Sequence, residues 1–415
     1  MLDQLSGDPL WAERQGGDPL APHRASFAAS LRDSGYRRST VQAKLRLLLE
    51  LGQWLGRNDL PVTALEEGLV GAFLEGRRRE DRSGGGQATT ARQFLEHLRS
   101  HQVVAAPPPP VLAPSALECL LGRYEKYLRA ERGLSTPTVV NYLPLVRRFL
   151  KERFGEGPLP LRELTPADSS RFILAHAPSM SGGRAKLLVT TLRSFFRFLL
   201  EHGQIEVDLA ACVPTTANWR LSTVPRYLAA EEIERLLGSV DRTTTSGRRN
   251  YAVLLLLARL GLRAGEVVSL ELEDIDWRAG EILVRGKGLL HDRLPLAPEV
   301  GEALAAYLHA DRPPSPTRRV FICRKAPWRG FAGASTVSSI VRRALARADL
   351  HPPNQGAHLL RHSLATAMLS RGASMPEIGE LLRHRAASST EIYAKVDFRA
   401  LRALAQPWPD GGGER

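Results

Sequence analysis

Apolar residues recur along most of this chain at the 3.6-residue spacing of helices packed on one face. Between Phe27 and Val104, the spacing of Thr40, Leu45, Leu48, Leu49 and Leu55 predicts a helix opening after Ser39 as N-cap. Gly84, Gly85 and Gly86 mark a loop, and a helix over Thr89–His101 sets Phe94, Leu95 and Leu98 on one face. The pattern returns from Leu117 to Val213. Tyr124, Tyr127 and Leu128 form a stripe, and Ser135-Thr136-Pro137 opens a helix through Val140, Leu143, Val146, Phe149 and Leu150. Another helix starts near Thr165-Pro166, and one over Gly183–His202 turns Leu188, Leu192, Phe195, Phe196 and Leu199 inward. After Pro225 a helix from Leu228 ends near Gly238, and Asn250–Leu260 is a buried helix stopped by Gly261. Glu281–Arg285 and Asp292–Leu296 then read as a hairpin around Gly286-Lys287-Gly288, with another short strand at Arg319–Cys323. Thr336–Asp349, His358–Ser370, Met375–Leu382 and Ser388–Lys395 are again helical, and Ala400–Ala405 is a short apolar helix. The expected fold is mainly α with a small antiparallel β-sheet.

Breaks in the pattern divide the chain. Residues 1–24 have no apolar period and read as a flexible tail. A helical N-terminal domain spans 25–105, and 106–115 is a linker carrying the polyproline run Pro107–Pro110. A second helical domain spans 116–217. Pro214–Val224 leads to a third domain over 218–406, and 407–415 is a second tail. The two helical domains align as copies of each other: Phe27 with Tyr124, Leu31 with Leu128, Gly35 with Gly133, Thr40 with Thr138, Leu45 with Leu143, Phe73 with Phe172, Phe94 with Phe195 and His101 with His202. The competing reading is that any two amphipathic bundles align this well.

At 415 residues the chain exceeds a single core, in line with this division. A net charge of +13 makes a polyanion the expected partner. The excess is uneven: residues 1–105 hold 14 Lys+Arg against 13 Asp+Glu, and the rest hold 43 against 31. Cys119, Cys212 and Cys323 are odd in number and far apart, as expected of reduced thiols rather than a disulfide framework. The N-terminus lacks the basic and apolar regions of a signal peptide. The apolar run Tyr251–Leu257 falls far short of the ~18 residues a membrane helix needs. A cytoplasmic protein without a membrane role is expected.

The densest chemistry lies between Gln355 and Tyr393. His358 and Arg361, three apart, share a helix face. His384 follows Arg361 by 23 residues and Tyr393 follows His384 by nine. Two imidazoles, a guanidinium and a phenol suffice to break a phosphodiester without a metal. The guanidinium grips phosphate oxygens, the imidazoles trade protons, and the phenol attacks. No zinc pattern and no phosphate-binding glycine loop occurs, so neither metal nor cofactor is expected.

This stretch resembles the tyrosine recombinases, the phage integrase family, whose motif runs His-x-x-Arg, Leu-Gly-His, Tyr at these separations. Gly261-Leu262-Arg263-Ala264-Gly265-Glu266 resembles the family's first-arginine motif, and Lys287, 24 residues on, its hairpin lysine. The resemblance covers Thr223–Ala405 closely and Leu117–Val213 loosely. It implies a DNA breaking-rejoining catalytic domain preceded by a SAM-like core-binding domain that clasps DNA. It also implies a 3′-phosphotyrosyl link through Tyr393, with Arg263 and Arg361 on the scissile phosphate. Lys287 would be the acid for the leaving 5′ oxygen, with His358 and His384 assisting. Duplex DNA with recombination sites, and a tetramer of this chain in synapsis, are the implied partners. Integration, excision or transposition of a mobile element is the implied setting.

Several residues carry secondary expectations. Glu266 orients Arg263 or caps its helix. Lys186, Arg193 and Arg197 form a basic face for DNA, or else a solvated face on an ordinary bundle. Arg383 stands where the family has glycine and is expected to contact the DNA backbone. His362, beside Arg361, is expected to point away from the site and pack. The N-terminal domain, near neutral, contacts protein, or else binds arm-type DNA through Arg77, Arg78 and Arg79. A topoisomerase of type IB runs the same half-reaction, and a catalytically silent DNA-binding protein could use the same fold; the domain preceding the catalytic one and the complete residue set favour the recombinase.

Overall fold

A computed structural model of the chain describes residues 18–79, 86–106, 115–216, 224–286, 291–386, 389–396 and 401–402. They fall into two compact units, one made of residues up to 106 together with those from 223 onward, the other of residues 107–222.

The first unit opens with four helices: α1 (Ala21–Asp33), α2 (Arg38–Arg57), α3 (Glu67–Arg79) and α4 (Gln87–Ser100). Phe27, Leu48, Leu55, Phe94 and Leu98 are among the side chains of their common core. The expected tail ends sooner than residue 24. Leu20 is fully buried and Arg24 is ion-paired to Asp18 inside the bundle, so residues 18–24 belong to it. Between Asp18 and Phe27 a single leucine, Leu20, leaves no period to read. Ser39 is not an N-cap either: α2 begins at Arg38, after an extended Arg37 whose carbonyl accepts from Val41. The Pro107–Pro110 run and Gly84-Gly85 lie outside the described residues.

The second unit repeats the order. It has α5 (Ala116–Lys126) running into a π-turn (Tyr127–Glu131), α6 (Thr136–Phe154), α7 (Pro166–His176), α8 (Gly182–Glu201) and the short α9 (Leu209–Cys212). Thr165 and Asp168 form a capping box on α7, with Thr165 N–H donating to the carboxylate at 2.9 Å. Tyr124, Phe149, Phe195, Phe196 and Phe198 pack edge-to-face or tilted in the core. Lys186 and Arg197 remain exposed, whereas Arg193 donates to the Val213 carbonyl at 2.8 Å.

Within the first unit the largest core is built on α10 (Ala230–Gly238), α11 (Thr245–Ala258), α12 (Ala264–Ser269), α13 (Pro298–Ala310), α14 (Ala334–Arg347) and α15 (Ala357–Ser370). α11 starts five residues before the expected Asn250, capped by Thr244. The sheet is antiparallel in the order β1 (Ile275–Asp276), β2 (Glu281–Arg285), β3 (His291–Pro295), and β1 was not evident from the pattern because it has only two residues. The hairpin pairs Arg285 with His291, so its loop begins at Gly286. Arg319–Cys323 is not a strand: Arg319 and Ile322 make isolated bridges to Glu271 and Gly330. α16 (Met375–Leu381) and a 3₁₀ turn, Glu391–Val396, follow, the turn falling where a helical segment was expected over Ser388–Lys395. Ala400–Ala405 lies almost wholly outside the described residues.

Candidate active site

Arg263 stands at the N-terminal boundary of α12, just after the turn that ends α11. That turn needs Gly261: its φ is +60°, and a Cβ there would lie 2.7 Å from Leu382 Cδ2. The close approach serves Arg361. From α15 its buried guanidinium donates to the carbonyls of Gly261 and Leu382, tying three segments together. Burial, then the charges of Arg263 and Arg383, push this guanidinium down to about 10, so it stays cationic at neutral pH.

Glu266 is buried one turn into α12. It accepts from the Arg263 backbone N–H at 2.8 Å and from Arg263 Nη1 at 2.7 Å, so it both caps the helix and holds the arginine. It also accepts from Arg383 Nη2 at 2.9 Å. Burial raises its carboxyl, but the Arg263 N–H and the charges of Arg383 and Arg263 outweigh that and lower it overall. Arg383 is therefore buried against Glu266 and not exposed as the expected DNA-backbone contact requires. The reason lies in the end of α16. Arg383 takes the left-handed conformation, φ +56°, and His384 N–H reaches back to the Gly379 carbonyl at 2.8 Å. This is the helix terminus that usually employs glycine. It sends the Arg383 side chain inward to Glu266.

His384 leaves that turn with Nδ1 against Thr390 Oγ1 at 2.8 Å. Burial and the nearby arginines push it to about 4, so it is neutral. His358 is also lowered, by burial and then by Arg361. It lines a cleft of about 500 Å³ with Arg263, Glu266 and Gly286. Lys287 itself lies outside the described residues, but its neighbour Gly286 borders this cleft.

Tyr393, on the 3₁₀ turn, is only 1 % exposed. Its ring stacks parallel to His384 at 6.4 Å between centroids, and its hydroxyl meets His362 Nδ1 at 2.9 Å. His362 does not point away. His358 and His362 are four apart, so they share a helix face, with ring centroids 6.1 Å apart. The two line a second cavity, of about 560 Å³, with Arg226, Gln355 and Ile392. The i,i+4 spacing was the available signal; adjacency to Arg361 obscured it. Thr390, which orients His384, carried no signal in the pattern.

Arg263, His358, Arg361, His384 and Tyr393 thus converge from four elements. The arrangement offers cationic donors for an anion, neutral imidazoles, and a phenol beside them. Residues 226–400 match the phage integrase family and residues 121–203 match the phage integrase, N-terminal SAM-like domain. The chain is 44 % identical over 393 residues to the "Putative integrase/recombinase y4rA" of Sinorhizobium fredii, covering 94 % of this chain and 95 % of that one. It is 32 % identical over 310 residues to the tyrosine recombinase XerC of Oceanobacillus iheyensis, covering 72 % and 99 %. In fold it is similar to the XerH site-specific recombinase solved bound to palindromic difH substrate, with TM-score 0.54, 20 % identity and coverage of 81 % and 93 %.

Proposed function

The chain belongs to the phage integrase family, the tyrosine recombinases, and from that premise we infer how this member cleaves and rejoins DNA as a site-specific recombinase. Tyr393 is the nucleophile. Its oxygen attacks the scissile phosphorus, the bond to the 5′ oxygen breaks, and a 3′-phosphotyrosyl link conserves the bond energy for rejoining. Arg263 and Arg361 take the two non-bridging oxygens and stabilise the charge of the pentacoordinate transition state. Their fixed geometry, through Glu266 and through the Gly261 and Leu382 carbonyls, removes the need to reorganise during reaction. Lys287, next in the chain after Gly286, protonates the leaving oxygen. His358 and His384 hydrogen-bond the phosphate.

The observation that carries this reading is the convergence of both arginines, both motif histidines and the phenol. The partner is duplex DNA. Exchange between two duplexes cuts four strands, and one tyrosine per protomer then calls for a tetramer of this chain. Of the expected basic face, Lys186 and Arg197 are exposed on α8 and available to DNA. Among the described residues no helix is long and apolar enough to cross a membrane; a cytoplasmic, nucleoid-associated location fits a chromosomal or mobile-element substrate. The domains follow as an N-terminal helical domain, a core-binding domain over 116–217 and a catalytic domain over 218–406.

The test is Tyr393→Phe on a nicked suicide duplex. Covalent DNA linkage disappears while DNA binding stays within about twofold, because one oxygen is lost. Covalent complex persisting in this variant assigns the nucleophile elsewhere.

A further inference from the structure

We propose that His362 is a catalytic residue of this recombinase: its Nδ1 takes the proton of the Tyr393 hydroxyl as that oxygen attacks phosphorus, and returns it on rejoining. The inference rests on the reading of Tyr393 as nucleophile. The geometry divides the histidines. His362 Nδ1 stands 2.9 Å from the Tyr393 oxygen, within the range a general base requires. His384 lies parallel to the Tyr393 ring with its Nδ1 engaged by Thr390. His358, one helical turn before His362, opens onto the cleft that holds Arg263. Of the three histidines, His362 is thus the one whose ring nitrogen meets the Tyr393 hydroxyl.

Electrostatics fit the role. The ionisable groups around His362 are His358 and Arg361 on its own helix, Tyr393 on the 3₁₀ turn, His384 after α16, and Arg226 across the cavity. Burial, then His358 and Arg361, hold the imidazole at about 4, so at neutral pH the ring is neutral and one of its nitrogens is a proton acceptor. Burial meanwhile raises the Tyr393 phenol above its ordinary value. Transfer before attack is uphill between such groups. It becomes favourable as the oxygen bonds to phosphorus and loses electron density, while the phosphate anion at Arg361 raises the basicity of the imidazole. The proton inventory closes. The O–P bond to Tyr393 forms, the P–O5′ bond breaks, the phenol proton passes to His362, and the 5′ oxygen takes a proton from the acid assigned to Lys287. Rejoining runs each transfer backwards.

The experiment uses the full chain on a nicked suicide duplex, measuring covalent-complex formation in a single turnover. His362→Asn keeps an acceptor where Nδ1 stands but cannot hold the proton. Its rate falls about 100-fold or more at pH 7, with core-site affinity within about twofold of wild type. That rate climbs about tenfold per pH unit where the wild type is level, since solvent base must replace the imidazole. His362→Ala regains activity with added imidazole. Asn at the wild-type rate, or a loss in both variants with no imidazole rescue and an unchanged pH profile, overturns the proposal. A measurement that needs no His362 variant is the ¹⁵N resonance of His362 Nδ1, which shifts on Tyr393→Phe; no shift also overturns it. Covalent complex in Tyr393→Phe defeats the nucleophile reading itself. Tyr393→Phe inactive with His362→Asn fully active defeats only this inference.

Discussion

At the scale of single residues, Arg383 shows two opposed terms meeting at one Cα. A non-glycine residue in the left-handed region costs roughly 1–2 kcal/mol. Removing one partner of a buried ion pair costs roughly 3–5 kcal/mol, and here the partner, Glu266, is as buried as Arg383 itself. Glu266 keeps Arg263 when Arg383 is lost, which puts the cost near the low end. The pair still outweighs the strain. Arg383→Gly, although it relaxes the backbone, is expected to destabilise the chain by about 1–2 kcal/mol net, read from the urea midpoint at constant slope. Greater stability in the glycine variant would show the ion pair to be the weaker term. The same residue explains a limit of sequence reading. Arg383 in a motif that usually has glycine looked like a surface substitution available to DNA. Only the helix terminus, with His384 N–H returning to Gly379, reveals that the side chain turns inward.

At the scale of elements, the helices and the hairpin were legible because their apolar periods are long and regular. The two-residue β1 was not, since it is too short to show a period, and the span read as helical over Ser388–Lys395 is a 3₁₀ turn over Glu391–Val396. The site was legible where the motif spacing carries it: Arg263, His358, Arg361, His384 and Tyr393. His362 was misread because its role depends on where the 3₁₀ turn docks, a tertiary fact that adjacency to Arg361 does not carry. The turn after α11 shows how an element acts at a distance from the chemistry. Gly261→Ala puts a Cβ into Leu382 and strains the backbone that receives Arg361. It is expected to cost about 1–3 kcal/mol. Slowing of covalent-complex formation by at least tenfold is expected too, because a displaced arginine loses alignment. Gly71→Ala, inside α3 with open space at its Cβ, is expected to stabilise by roughly 0.5–1 kcal/mol with activity unchanged. Equal effects from the two would remove the packing argument.

At the scale of the whole molecule, the N-terminal helices and the second unit share more than pattern. Gly35 and Gly133 both have positive φ, and Phe94 and Phe195 are both fully buried. His101 Nδ1 meets the His97 carbonyl and His202 Nδ1 the Phe198 carbonyl, each at 2.9 Å and each four residues back. Their surfaces differ. Arg77 is drawn into its own bundle by Glu50 and Gln87, which withdraws one of the three clustered arginines from any phosphate. Ser34 accepts the Trp328 N–H at 3.0 Å, so the N-terminal helices touch the loop before α14 of the same unit. A near-neutral bundle, with one clustered arginine paired internally and a protein contact already made, argues for work on protein rather than on DNA. Each phosphate neutralised adds about 0.9 to the log–log salt slope of duplex binding. Deleting residues 1–105 is therefore expected to change the slope for a single core site by less than about one unit. The same deletion is expected to impair assembly of the paired complex, measured by native gel shift on two-site DNA. An arm-type DNA-binding role predicts the reverse: a shortened footprint on flanking DNA, a slope lowered by several units on DNA that carries the flanking site, and assembly intact on isolated core sites. One reading impairs assembly and leaves the slope nearly unchanged, and the other lowers the slope and leaves assembly intact, so one deletion decides between them.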